Sequence, residues 1–385
     1  MDPSQNMEKT LEKNLEKTVA GISRMAGTEP RRDQTPIISR GYTQQDEIPP
    51  PIRRDVGETI PLSSGDLKKE ITDLSKLSAA INEKVSEFIV GNHEIIDLIL
   101  IALLNEGHIL VEGIPGTGKT TIAKTVSLLT GCSFNRIQGA IDIQPADMLG
   151  VRIYDTARKE FVLKKGPVFT NFLLVDEINR INPKSQSAFI EAMSERQVTL
   201  DGITLPMQSP FFVIATQNPH EFEGTFPLIE VQRDRFMFSI RSDYVSAEDE
   251  LNIIKRVHTG QLRWDLYSQT VTPLLNPHAL RHYINVVRQV IIEDPVLQYI
   301  RDLVVATRTH PDIELGASTR ASISLVAGAK TMAALNNRAY VLPDDVKNIA
   351  HAALAHRLVI SRDAEIEGLT RNQIMDEILA KVEVL

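Results

Sequence analysis

Cysteine is almost absent from the 385 residues: Cys132 stands alone. No internal disulfide can form, and the thiol is expected to pack as a small apolar residue at the end of a helix. Long apolar runs are missing too. The most apolar stretch, residues 95–104, is broken by Asp97 and falls far short of the roughly 20 residues a membrane span requires. The chain opens Met1-Asp2-Pro3-Ser4-Gln5 with no apolar signal core, which makes a cytoplasmic location the expectation. Positive charge is in deficit, the formal net charge being -8; there is no global basic field for nucleic acid, although a local patch is not excluded. The nine histidines form no metal constellation: His278 and His282 stand at i,i+4 with no third ligand close in sequence and read as surface. With 42% hydrophobic residues the chain has enough apolar matter for the cores of about two domains.

Against these absences stands Gly113-Ile114-Pro115-Gly116-Thr117-Gly118-Lys119-Thr120. It fits the phosphate-binding pattern G-x-x-x-x-G-K-[ST], between an apolar run at 108–111 and a helical pattern at 121–129. The glycines let the backbone curl so that successive N–H groups face inward, and the following helix turns its positive end, Thr121 included, to the same anion. Lys119 is the candidate for the β- and γ-phosphates of ATP, and the Thr120 hydroxyl for a position on Mg²⁺.

A second half of the site is expected on another strand. The run Asn171-Phe172-Leu173-Leu174-Val175 ends in Asp176 and Glu177, as a buried parallel strand does when it delivers carboxylates at its carboxyl end. Asp176 is placed to hold Mg²⁺, and Glu177 to polarise an attacking water.

Taken in order, the chain changes texture twice. Residues 1–62 hold one amphipathic helical pattern (Met7, Leu11, Leu15, Val19, Ile22, Met25), then a polar, proline-dotted stretch that reads as a flexible linker. Residues 63–270 alternate helical signals with strand signals at 133–138, 169–175, 211–216 and 236–240, the pattern of a parallel sheet covered by helices on both faces. Residues 271–385 carry helical periodicity alone, at 280–290, 296–307, 318–335, 343–359 and 372–382. The fold class is therefore α/β followed by an all-helical domain. Between them 197–205 reads as a β-hairpin with an Asp201-Gly202 turn.

Together these blocks resemble the MoxR family of AAA+ ATPases. The resemblance rests on the phosphate loop, Leu174 to Arg180, Gln186 to Val198, Ile214-Ala215-Thr216-Gln217-Asn218-Pro219, Glu221 to Leu228, Asp234-Arg235-Phe236, Ala306 to Pro311 and Gly316 to Ala321. It covers the chain from about residue 74 onward. It implies that Asn218 is sensor 1, Arg235 an arginine finger for the adjacent subunit of a ring, and Arg320, in a lid domain, sensor 2. It also implies insertions at 139–151 and 280–290, the first with Ile141 to Asp147 facing the centre of the ring. Two positions depart from the family. Arg233 replaces an apolar residue, and either shares the finger's role or pairs with Asp234; an aromatic residue near Gly139 and Ala140 is missing, which weakens a grip on substrate by stacking.

The function these features imply is an ATP-hydrolysing ring, expected to be a hexamer, that remodels partner proteins in a chaperone-like way. Cofactor or metal-centre maturation and complex assembly are the roles the family suggests, often with a partner bearing a von Willebrand factor A domain. A nucleotide-gated assembly scaffold with little turnover is the alternative. A nucleic-acid motor is disfavoured by Asp142, Asp147 and Asp201 in the loops concerned.

Overall fold

The computed structural model describes residues 61–91, 93–113, 118–218, 224–242 and 244–384. The helix and linker expected before residue 61 lie outside these, as do Pro115, Gly116 and Thr117. Helices α1 (Ser64–Ser86) and α2 (His93–Leu103) lead into β1 (Ile109–Gly113), and α3 (Lys119–Leu129) into β2 (Phe134–Gln138). A short α4 (Pro145–Leu149) and a hairpin, β3 (Gly150–Asp155) with β4 (Glu160–Lys165), precede β5 (Phe172–Asp176). Then come α5 (Pro183–Glu195), a second hairpin, β6 (Gln197–Leu200) with β7 (Ile203–Pro206), β8 (Phe212–Gln217), α6 (Glu230–Arg233) and β9 (Phe238–Ser242). The remainder is α7 (Ala247–His258), α8 (Trp264–Thr270), α9 (Pro277–Arg288), α10 (Asp294–Thr309), β10 (Ile313–Leu315), α11 (Thr319–Leu335), α12 (Pro343–Leu354), β11 (Val359–Ile360), α13 (Arg362–Ile366) and α14 (Arg371–Lys381). No helix among the described residues is long and apolar enough to cross a membrane.

Five parallel strands form the sheet in the order β2-β5-β8-β1-β9. Neighbouring residues of each strand enter opposite cores, as a period of two requires. Ile109, Val111, Phe172, Leu174, Phe212 and Ile214 join the core shared with α1, α2, α3 and the C-terminal helices. Leu110, Leu173, Val175, Val213 and Ala215 join the core under α5. Both faces being covered, the strands read as unbroken apolar runs. Full burial of each such side chain contributes roughly 1.5–3 kcal/mol.

Helix α1 is longer than its apolar stripe alone suggests, because Ser63 caps it by accepting from the Asp66 amide at 3.2 Å. It packs on α2 and α3, and also on α9 and α11. The Ser75 hydroxyl donates to Leu335 O at 2.7 Å, so this one helix ties the sheet layer to the C-terminal part. Cys132 follows α3, half-buried against the same core, and its burial pushes the thiol up.

Three features differ from expectation. The C-terminal part is not wholly helical: β10 and β11 pair antiparallel, because α12 stops at Leu354 and the chain extends after the turn Ala355–Arg357. The region between β2 and β5 continues beyond residue 151 as the β3–β4 hairpin, closed by Asp155, whose Oδ1 accepts from the amides of Ala157 and Arg158 at 2.8 and 3.1 Å. Helices α7 and α8 lie where no helix was expected. The β6–β7 hairpin is present as expected, with Asp201 and Gly202 at φ of 49° and 80°. His278 and His282 are exposed.

His108 and His356 are buried. The His108 Nδ1 accepts from the Val213 amide at 3.2 Å, so the proton sits on Nε2, which donates to Met193 O at 3.1 Å. Burial, with Arg196 adding to it, pushes His108 down to about 3, and burial likewise holds His356 well below its ordinary value. The unfolded chain takes up these protons near pH 6.5 and the native one only well below that, near pH 3 for His108, so stability is full above pH 6.5 and lost as pH falls. We expect a loss of up to about 1.4 kcal/mol per pH unit per histidine across that window in denaturant titrations. His108→Gln should be less stable at neutral pH and have a shallower slope.

Candidate functional site

The loop between β1 and α3 ends at Gly118, the N-cap of α3 with φ 79°. Lys119, the first helical residue, folds back so that its Nζ donates to Gly113 O at 2.9 Å. Burial holds the Lys119 ammonium below its ordinary value, and Asp176 partly opposes this. The described residues of the phosphate loop, Gly113, Gly118, Lys119, Thr120 and Thr121, thus occupy the carboxyl end of β1 and the first turn of α3.

Asp176 ends β5 and is buried. Its Oδ1 accepts from the Thr216 hydroxyl at 3.2 Å. Its Oδ2 accepts from the Thr120 hydroxyl at 3.4 Å and from Arg136 Nε at 2.6 Å. Strand β8 lies between β1 and β5, so Thr216 can bridge the two acids of the motif: its hydroxyl oxygen also accepts from the Glu177 amide at 3.0 Å.

Immediately after Asp176 the chain leaves the strand. Glu177 takes a left-handed conformation, φ 55° and ψ 51°, a cost that a non-glycine residue bears only where its surroundings enforce it. The enforcement comes from Gly139, whose amide donates to Asp176 O at 2.7 Å. A Cβ there would lie 2.1 Å from Glu177 O. The Glu177 carboxylate pairs with Arg180 Nε at 3.2 Å.

Asn218 follows β8, and its carbonyl accepts from Asn179 Nδ2 at 3.3 Å. Gln217 Nε2 donates to Glu112 Oε1 at 2.8 Å, holding the ends of β8 and β1 together. Lys119, Thr120, Asp176, Glu177 and Asn218 therefore converge at the carboxyl ends of three adjacent strands, where an open parallel sheet binds ligands.

Arg235 and Arg320 belong to a second cluster, at the junction of the sheet with the C-terminal helices. Arg235 Nη1 donates to Ile190 O at 3.4 Å. Asp234, its neighbour, accepts from the Ser318 hydroxyl at 2.8 and 2.9 Å, pairs with Arg320 at 3.4 Å, and lies 3.1 Å from Arg357 Nε. The Arg357 side chain is only 2% exposed, and burial pushes it down to about 10 against the pull of Asp234, which leaves it charged at neutral pH. Arg233 pairs with Glu230 at 3.1 Å. The expected alternative for it, pairing with Asp234, gives way to the three lid groups that occupy that carboxylate.

Arg136, Thr216 and Arg357 were not anticipated. Arg136 and Gln138 share a face of β2 by the period of two, and a basic residue there beside the acidic strand end was a usable signal. Nothing in the sequence marks Arg357.

The donor set suits a hard cation. Thr120 and Asp176 offer a hydroxyl and a carboxylate, and among the described residues no group of three or more His, Cys, Asp or Glu could hold a metal unaided. Magnesium fits such a site, since it keeps several waters and takes one or two protein oxygens plus substrate phosphates.

Known proteins resemble the chain over most of its length. Residues 108–238 match the model of the ATPase family associated with various cellular activities, and residues 305–378 match the AAA lid domain. The Bacillus subtilis protein YeaC is 40% identical over 312 residues, 81% of this chain and 96% of that one. Chaperone MoxR1 of Mycobacterium tuberculosis is 38% identical over 324 residues, 80% and 82% of the two chains. A crystal structure of a candidate ATPase from Cytophaga hutchinsonii superposes with a TM-score of 0.77 at 38% identity, covering 83% of this chain and 98% of that one.

Two substitutions test the geometry. Gly139→Ala should displace the Asp176–Glu177 turn and lower stability by about 1–3 kcal/mol in denaturant unfolding. Asp234→Asn, by stranding the buried Arg357 charge, should cost roughly 3–5 kcal/mol in the same assay.

Proposed function

Because the chain belongs to the MoxR family of AAA+ ATPases, we propose that it hydrolyses ATP as a ring, most simply a hexamer, and that it remodels a partner protein. The observation that carries this is the convergence of Lys119, Thr120, Asp176, Glu177 and Asn218 at three adjacent strand ends. Residues 63–270 form the nucleotide-binding domain and 271–385 the lid.

In this proposal the loop from Gly113 to Thr121, with Pro115, Gly116 and Thr117 completing it, surrounds the phosphates of ATP, and Lys119 neutralises the β- and γ-groups. Thr120 and Asp176 would hold magnesium, which when bound would supply charge neutralisation for the phosphates. Glu177 accepts the proton of the attacking water, and Asn218 orients that water. Glu177 must first exchange its pairing with Arg180, a condition that ties basal turnover to a rearrangement. Arg235 acts on the nucleotide of the neighbouring subunit, stabilising charge that develops in the transition state. Arg320, one carboxylate away through Asp234, assists from the same junction.

The relative named Chaperone MoxR1 supports a chaperone-like output; the form we propose for it is cofactor or metal-centre maturation or complex assembly, with a von Willebrand factor A domain protein as the partner class. Ile141 to Asp147 and the β3–β4 hairpin, where Tyr154 and Phe161 are 52% and 60% exposed, offer contact surfaces for it. The hairpin supplies exposed aromatic residues of the kind found missing near Gly139. The engaged Glu177–Arg180 pair at 3.2 Å favours the scaffold with little turnover as the second reading. A nucleic-acid motor draws support only from Arg152, Arg158, Lys159, Lys164 and Lys165 on the same hairpin.

The decisive measurement is ATP turnover per subunit against protein concentration, with mass read by light scattering. Specific activity should rise as the ring assembles. Glu177→Gln should retain nucleotide binding and lose about 10²-fold or more in turnover, and Arg235→Ala about 10³-fold. A wild type that binds ATP and assembles, yet turns over no faster than Glu177→Gln, transfers the conclusion to the scaffold. Stimulation by single- or double-stranded DNA would instead favour the motor.

A further inference from the structure

We propose that Arg136 is a positioning residue for Asp176: it sets the plane of that carboxylate and so determines how well the chain holds its divalent cation. The inference rests on the nucleotide site described above and concerns a residue to which no motif assigns a role.

Strand β2 is the edge of the sheet, and its register with β5 sets Arg136 opposite Leu174 and Gln138 opposite Asp176. Arg136 and Gln138, two residues apart, face the same way. The guanidinium uses two donors in two directions. Its Nε meets Asp176 Oδ2 at 2.6 Å and its Nη2 meets Gln138 Oε1 at 2.6 Å. Gln138 thereby braces the planar group from its own strand. A side chain 45% exposed would ordinarily spend these donors on water, and its stem is too long to be held by chance in both contacts.

The other two donors on Asp176 are neutral hydroxyls, Thr216 at 3.2 Å and Thr120 at 3.4 Å. A charge-assisted bond is roughly twice as strong as a neutral one, and the shortest contact is the one from Arg136. Without it the carboxylate keeps only the Thr216 hydroxyl as a firm restraint and can rotate Oδ2 away from Thr120, separating the two oxygens that a cation needs side by side. Repulsion between the guanidinium and the cation acts in the opposite sense. It is screened by solvent at a half-exposed side chain and offset by the phosphates, so orientation prevails. Partners that orient a metal ligand are typically worth about 10–100-fold in metal affinity.

The test uses the full chain and ADP, which is not turned over. ADP is titrated calorimetrically in EDTA and at a series of MgCl₂ concentrations, for wild type, Arg136→Gln and Arg136→Lys, with thermal unfolding of each. Arg136→Gln should bind ADP in EDTA within about twofold of wild type and need about tenfold more Mg²⁺ for half of the metal-dependent gain in affinity. Arg136→Lys, which keeps the charge without the fork, should fall between the two. An unchanged or lowered Mg²⁺ requirement in Arg136→Gln overturns the proposal. So does a matching loss of ADP affinity in EDTA, which would make Arg136 a nucleotide contact, and so does an Arg136→Lys chain identical to wild type, which would make charge alone sufficient. A wild type whose ADP affinity ignores Mg²⁺ overturns the assignment of a cation to Asp176, and this inference with it, whereas a wild type that binds no ADP at all overturns the nucleotide site itself.

Discussion

Everything in the molecule follows from a parallel sheet that must be covered on both faces. Parallel strands need long crossovers, and helices on those crossovers bury the two surfaces. All strands then point their carboxyl ends the same way, and every loop at that end opens onto one crevice. Strand order does the rest. With β8 between β1 and β5, the phosphate loop and the acidic pair are held one strand apart, and Thr216 and Asn218 arrive from the strand that fills the gap.

The centre of that crevice is a single carboxylate. Asp176 receives a hydroxyl from the helix after β1, a hydroxyl from β8 and a guanidinium from β2, so three elements agree on its position. Beyond it Glu177 is driven into a left-handed turn by the close approach of Gly139. Asp176 and Glu177, proposed to hold a cation and to serve water, are adjacent in sequence, yet one belongs to a strand and the other to a turn. That separation lets the two perform different tasks.

Much of this was legible in advance, for reasons that differ by element. The runs at 172–175 and 212–215 announced strands buried on both sides, since no other environment tolerates such continuity. The turn from β1 into α3 and the acids at the end of β5 were legible because the phosphate-binding pattern fixes residue types and spacing between a strand and a helix. Asp201-Gly202 announced its turn through backbone conformation. Hairpin β3–β4 was not foreseen, because it projects both faces outward and its apolar residues, Ile153, Tyr154 and Phe161, do not alternate cleanly with polar ones. Strands β10 and β11 are three and two residues long, too short to leave a period. Arg357 acts through a partner 123 residues away, and a contact of that kind has no local signature; Arg136 offered only the weaker signal of a basic residue placed beside the acidic strand end.

Asp234 and Arg235 are consecutive, so their α-carbons stand about 3.8 Å apart. One carries its side chain into the lid, against Ser318, Arg320 and the buried Arg357; the other carries the guanidinium that has no place in the first cluster. A single peptide plane therefore joins the lid to Arg235. A tilt of α11 that carries Ser318 and Arg320 with it would bear directly on the backbone of Arg235.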